Sequence, residues 1–252
     1  MALFGVGQRP RRERSGARRR DPAYEPGRTS NVVWSPDGSR LAFANDQSGA
    51  RDFYVKPTSG ASPQESLFRS SAVFKDPSSW SADGRFIVFS RLDPRINRDL
   101  WVLSMEGDRK PRPYMSTPYS EDAGSISPDG RWMAYPSDES GRFEIYVQSF
   151  PTPRTKYRVT SEGGVGRVWW RADGKELFTL SADARKVFVV DVQAGEEFRS
   201  DTPRVLMTLP RATAAIGATR DFQRFLVSAP IDENAGFSLT VILDWTATLR
   251  RN

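Results

Sequence analysis

Apolar residues in this chain come in short runs of three to five, separated by polar, glycine-bearing gaps. The spacing of three and four residues that marks an amphipathic helix is absent. Four runs follow a turn of one kind: "WSPDG" ends at Gly38, "WSADG" at Gly84, "ISPDG" at Gly130 and "WRADG" at Gly174, with Phe222 of "TRDFQRF" in the same place in a fifth, degenerate copy. The intervals are 46, 46, 44 and 48 residues. Three residues past each position stand Leu41, Ile87, Met133, Leu177 and Phe225. Five past stand Phe43, Phe89, Tyr135, Thr179 and Val227, apolar but for Thr179, and the residues between are apolar. A strand buried on both faces reads this way. A second apolar group follows in "FYV" at 53, "LWV" at 100, "IYV" at 145, "VFV" at 187 and "TVI" at 240, and weaker fourth strands follow in "ESLFR", "RPYMS", "KYRVT" and "RVLMT".

The turn has its own logic. Ser35-Pro36-Asp37-Gly38 suits a type I β-turn, with proline second, where its fixed φ fits, and glycine last. The unit is strand, tight turn, strand. A period in the mid-forties carrying about four short strands is the signature of a β-propeller blade. The expected fold is therefore all-β, a propeller with five recognisable blades of about four antiparallel strands. Residues 28–252 form the propeller domain, behind a basic leader at 1–27.

"WSPDGSRLAFANDQSGARDFYVKPTSG" resembles the TolB-type β-propeller repeat, a bacterial relative of the WD repeat. The resemblance spans roughly residues 28 to 249 and weakens in the last copy. It implies a fold, and such folds host many functions. It also implies six blades as the common number, one more than the repeats account for. The fifth copy ends after its third strand, and "ALFGV" at 2 to 6 is the N-terminal candidate to complete a blade. The expectation is a five-bladed ring left incompletely latched, or part of a six-bladed one, that self-associates through unclosed blades. The end, "SLTVILDWTATLRR", is similar to the end of the propellers linked to bacterial serine/threonine kinases. Kinase glycine-loop and HRD motifs are absent from this sequence.

Composition narrows the chemistry. The chain of 252 residues has no cysteine and no histidine. A disulfide, a cysteine nucleophile, a Ser-His-Asp triad and most zinc sites are thereby excluded. No GxSxG elbow is present. Net charge is +6, but residues 1–30 hold eight arginines against three acids, so the propeller is near neutral. Without interleaved aromatics that arm reads as a solvated leader, and nucleic acid is not the expected partner. No run approaches a membrane span. The apolar start precedes the charges, the wrong order for a secretory signal, and a cytoplasmic place is expected.

Candidate sites resolve into structural roles. Asp37, Asp83, Asp129 and Asp173 recur once per blade inside turns, where Asp bonds nearby amides. "EGGVGR" at 162–167 leads into a strand rather than a helix and reads as a flexible link. "DPRINRD" at 93–99 and "SEDAG" at 120–124 read as solvated hairpin tips, the longer one being the better surface for a partner. Trp34, Trp80, Trp101, Trp169 and Trp170 are expected to fill the gaps between blades. No catalytic, cofactor or metal set emerges. The reading is a protein–protein interaction or sensor module in signalling, not an enzyme. The alternatives are a periplasmic TolB-like envelope component and a carboxylate-based glycosidase with acids converging on the central channel.

Overall fold

The computed structural model describes residues 29–46, 51–69, 74–92, 97–211, 213, 215–219, 221–230 and 237–243. The leader at 1–27 and "ALFGV" at 2–6 lie outside them, as do residues 93–96 of the "DPRINRD" loop and the end of the chain after 243. Among the described residues there is no helix.

The first blade is β1 (Thr29–Trp34), β2 (Arg40–Asn45), β3 (Asp52–Pro57) and β4 (Glu65–Phe68), paired in that order. The second is β5 (Phe74–Trp80), β6 (Phe86–Leu92), β7 (Arg98–Ser104) and β8 (Pro111–Pro113), and the third is β9 (Ser125–Ile126), β10 (Trp132–Ser137), β11 (Glu144–Ser149) and β12 (Lys156–Arg158). The fourth is β13 (Val165–Trp170), β14 (Glu176–Leu180) and β15 (Lys186–Ala194), whose long third strand pairs with both β16 (Phe198–Ser200) and β17 (Arg204–Thr208). The fifth has three strands, β18 (Ala215–Ala218), β19 (Arg224–Pro230) and β20 (Phe237–Leu243). All pairings are antiparallel.

Period-two alternation in the second strands builds the seams between blades. Ile87 and Phe89 of β6 face the first blade, and Val88 between them faces the third. Met133 and Tyr135 of β10 pack against the second blade, Trp132 and Ala134 against the fourth. Leu177 and Phe178 of β14 divide between the third and fifth blades in the same manner. The predicted two-sided burial of this strand is thus the joint itself.

First strands stand side by side around the axis. A bulge in β5 between Pro77 and Ser79 turns Ser78 towards the next blade, where its hydroxyl donates to the Gly124 carbonyl at 2.7 Å. The Ile126 amide donates to Ser79 Oγ at 3.1 Å, and Trp170 Nε1 to the Ser125 carbonyl at 3.0 Å. Bulging frees backbone groups and re-aims side chains, which here stitch one blade to the next.

Two features escape the repeat. The hairpin formed by β15 and β16 leans over the third blade, seats Phe198 among Trp132, Tyr157 and Trp170, and accepts Trp132 Nε1 at the Gly195 carbonyl. "EGGVGR" is packed, not a flexible link: a Cβ on Gly164 would lie 2.8 Å from Ile145 Cγ1, so only glycine lets the chain pass this close. The degenerate fifth turn keeps its geometry, with Phe222 at φ 54° in the glycine position. Its ring offsets that strain by stacking on Phe178 at 4.0 Å. On the face of the first blade turned away from the second, Phe43 and Tyr54 are buried, as is Leu226 of β19.

Candidate functional site

Both ends of the axis carry side chains worth testing. At the turn end, the strand ends before each glycine turn converge on a funnel of about 330 Å3. Its wall takes Trp34, Trp80, Ile126, Trp170 and Ala218, the same repeat position in five successive blades, with Trp169 and Phe222 beside them and Pro36 and Pro128 at the rim.

These aromatics do not all fill gaps. Trp80 is 9% exposed and Trp170 8%, each pressed into the cluster it shares with the preceding blade. Trp34 is 43% exposed. The expectation of a buried Trp34 is corrected, and the reason is positional. Trp80 packs on Val33, Ala42 and Ala44 of the blade before it, whereas among the described residues no hydrophobic cluster joins Trp34 to the fifth blade. Its counterpart in the fifth blade is the small Ala218, which leaves the indole facing the funnel.

The repeated aspartates are turn locks. Ser35 Oγ donates to Asp37 at 2.5 Å and the Ser39 amide at 3.0 Å; Ser81 and Arg85, then Ser127 and Arg131, repeat the arrangement on Asp83 and Asp129. Arg171 Nε and the Lys175 amide hold Asp173 at 2.8 and 3.0 Å. Hydrogen bonds from Ser35 and Ser39 bring the Asp37 carboxyl down to about 2. The Arg171 bond likewise lowers Asp173. The motif recurs where the sequence reading missed it, in "SADAR", with Ser181 donating to Asp183 at 2.5 Å and Ala184 at φ 54°.

Opposite the turns, Asp76 and Asp122, also one repeat apart, sit at the start of the first strands. Arg51 Nη1 lies 3.3 Å from Asp76, while Arg98 and Ser90 bond Asp122. Arg167 of β13 is shielded from water, which lowers its pKa against the opposing pull of Asp122 and Asp76. The structure thus brings two carboxylates and a half-buried guanidinium together near the axis, a set the sequence reading did not assign. The signal was available: an Asp recurs 46 residues apart, just after Lys75 and Glu121. "SEDAG" is not a solvated tip, because Glu121 is 1% exposed. Among the described residues no group of three or more carboxylates is placed to hold a metal ion.

A larger open cleft of 810 Å3 lies between the third and fourth blades, and part of its charge is tied up in ion pairs. Arg171 reaches Asp173 at 2.7 Å and Glu176 at 2.9 Å, and Arg204 reaches Asp191 at 3.5 Å. No aromatic among the described residues lines it. No helix among the described residues is long and apolar enough to cross a membrane.

No protein-family model matches the chain, and no curated protein is similar to it in sequence. Solved structures are similar in fold. TolB from Acinetobacter baumannii superposes with a TM-score of 0.71 at 17% identity, over 88% of this chain and 53% of that one. The chain therefore spans about half the length of that protein. A puromycin hydrolase gives 0.60 at 16% identity over 88% of this chain and 36% of its own. An oligogalacturonate lyase in complex with manganese gives 0.60 at 14%, over 90% and 65%. The fold is a TolB-like β-propeller. The expectation that the chain is not an enzyme is corrected by these neighbours: the same fold occurs in a hydrolase and a lyase, so propeller architecture gives no ground for setting catalysis aside.

Proposed function

We propose that this TolB-like β-propeller is a recognition module whose turn-side funnel takes an apolar anchor from a protein partner. The observation that carries the reading is Trp34, held by a rigid strand yet left 43% exposed in an aromatic-walled hollow. An exposed indole inside a preformed concavity is the arrangement that dominates binding energy at interfaces. The funnel's volume of about 330 Å3 suits one or two side chains rather than a folded domain, so the segment that enters is extended. The prolines at the rim and the aromatic wall favour aromatic or proline side chains over charged ones. In a signalling protein of the kinase-linked kind the hollow would serve as the sensor.

Selection of displayed peptides on the full chain tests this. Enriched sequences should share an aromatic or proline anchor, and their binding should fall at least tenfold in Trp34→Ala while persisting in Val205→Ala, a change at an exposed apolar residue away from the funnel. Enrichment of peptides indifferent to Trp34, or of none, would reject the funnel as the binding surface.

A further inference from the structure

The seams between the first four blades keep an acid at the start of the third strand, and what compensates it changes from seam to seam. In the first seam Lys75, the second residue of β5, is fully buried with its ammonium 3.0 Å from Oδ1 of Asp52, the first residue of β3. One repeat later the acid is kept as Asp99 of β7, also buried, but the place of the lysine is taken by Glu121. In the third seam the acid is Glu144, which is compensated by Arg142 Nε at 2.7 Å, Thr160 Oγ1 at 2.5 Å and the Gly163 amide at 3.0 Å. Only the second of these three seams sets carboxyl beside carboxyl.

Backbone geometry holds Glu121 there. Its amide donates to the Arg98 carbonyl at 2.8 Å, and it bridges to Ser137 at the end of β10. Thr117 Oγ1 donates to Oε1 at 2.5 Å, and Oε2 is buried with no hydrogen-bond partner. Among the described residues, the cations nearby are engaged elsewhere. Arg98 bonds Asp122, Lys156 bonds Glu139, and Arg91, opposite Asp99 in the β6–β7 register, stacks on the Trp101 ring at 4.5 Å. Arg167 is directed to Asp122 and Asp76. Asp138, the remaining acid on the β10 side, accepts the Ser120 amide at 2.9 Å. A buried carboxylate facing acids, with no cation of its own among the described residues, is costly, and the cheapest remedy is a proton.

We infer that the seam between the second and third blades is a proton-locked joint, closed while Glu121 is a neutral carboxyl and loosened when that proton leaves. Burial, with Asp99, Glu139 and Asp138 adding to it, pushes Glu121 up to about 7, against an ordinary value of 4.5. The folded state therefore holds a proton that the unfolded chain releases. The stabilisation is complete below about pH 4.5 and is lost as pH rises through 7.

The test follows the thermal midpoint of the full chain between pH 5 and 8. The wild-type midpoint should fall as pH rises, with the folding constant dropping by up to about a hundredfold. Glu121→Gln should flatten that fall. Glu121→Lys, which recreates with Asp99 the pairing of the first seam, should flatten it and raise the midpoint at pH 8. Lys75→Glu should add a second fall of the same sign. Carboxyl carbon NMR of the wild-type chain reads the group directly, whether or not the variants fold, and should show Glu121 titrating near neutrality. A midpoint that is level from pH 5 to 8, a slope that survives Glu121→Gln, or a Glu121 titration in the ordinary carboxyl range would each overturn the proposal. So would a slope abolished by calcium and restored by a chelator, since a cation would then occupy the pair.

Discussion

Truncating Trp80 and Trp34 to alanine, two equivalent positions one repeat apart, asks whether position in the ring rather than residue type sets what an aromatic contributes. Trp80 is 9% exposed in a closed cluster and donates its indole N–H to the Gly84 carbonyl at 3.0 Å, with Arg40 over its ring at 5.4 Å. Removing such a side chain loses its transfer energy and leaves a cavity, about 4 to 5 kcal/mol. Trp34, 43% exposed, has roughly three-fifths of that coverage, and its site opens to solvent so that no sealed void remains. Its truncation should cost about 2 to 3 kcal/mol. Urea denaturation followed by circular dichroism separates the two, provided the slopes with denaturant match wild type. The difference expected is about 2 kcal/mol, in the order Trp80 above Trp34. Equal losses, or a larger loss at Trp34, would mean the first blade is covered in solution and the positional argument is wrong.

Three further outcomes follow from single contacts. Lys75→Met, which takes the ammonium from the buried Asp52 charge, should cost about 3 to 5 kcal/mol, and Asp52→Leu in the same chain should recover most of it; a neutral single variant would refute the buried pair. Gly124→Ala should lose about 1 to 3 kcal/mol by overpacking, because its Cβ would meet Met133 Sδ at 2.9 Å and Val88 Cγ1 at 3.0 Å; unchanged melting would show that the seam has slack. Asp37 stabilises the first turn above its ordinary carboxyl range and loses that contribution as pH falls through about 2, so Asp37→Asn should make acid unfolding below pH 4 shallower; an identical acid limb would show the turn lock contributes nothing.

The blades were legible in the residues. Short continuous apolar runs bury both faces as inner strands of stacked sheets, and Ser-x-Asp-Gly favours one local geometry, so the turns that place Gly38 at φ 70° and Gly84 at φ 76° were legible from the residues alone. Even the fifth turn, with Phe222 in the glycine place, followed from spacing. What each repeat position faces was not legible. Trp34 and Trp80 occupy the same place in the same motif, yet Trp80 is pressed into a seam and Trp34 is left exposed, because burial depends on the neighbouring blade and not on the chain around the residue. Glu121 reads locally as a polar loop residue beside another acid, and only the packing of two blades turns it into a buried carboxyl against Asp99. Local pattern specifies an element, whereas dielectric and charge at a joint are sums over partners far away in sequence, which tertiary structure alone decides.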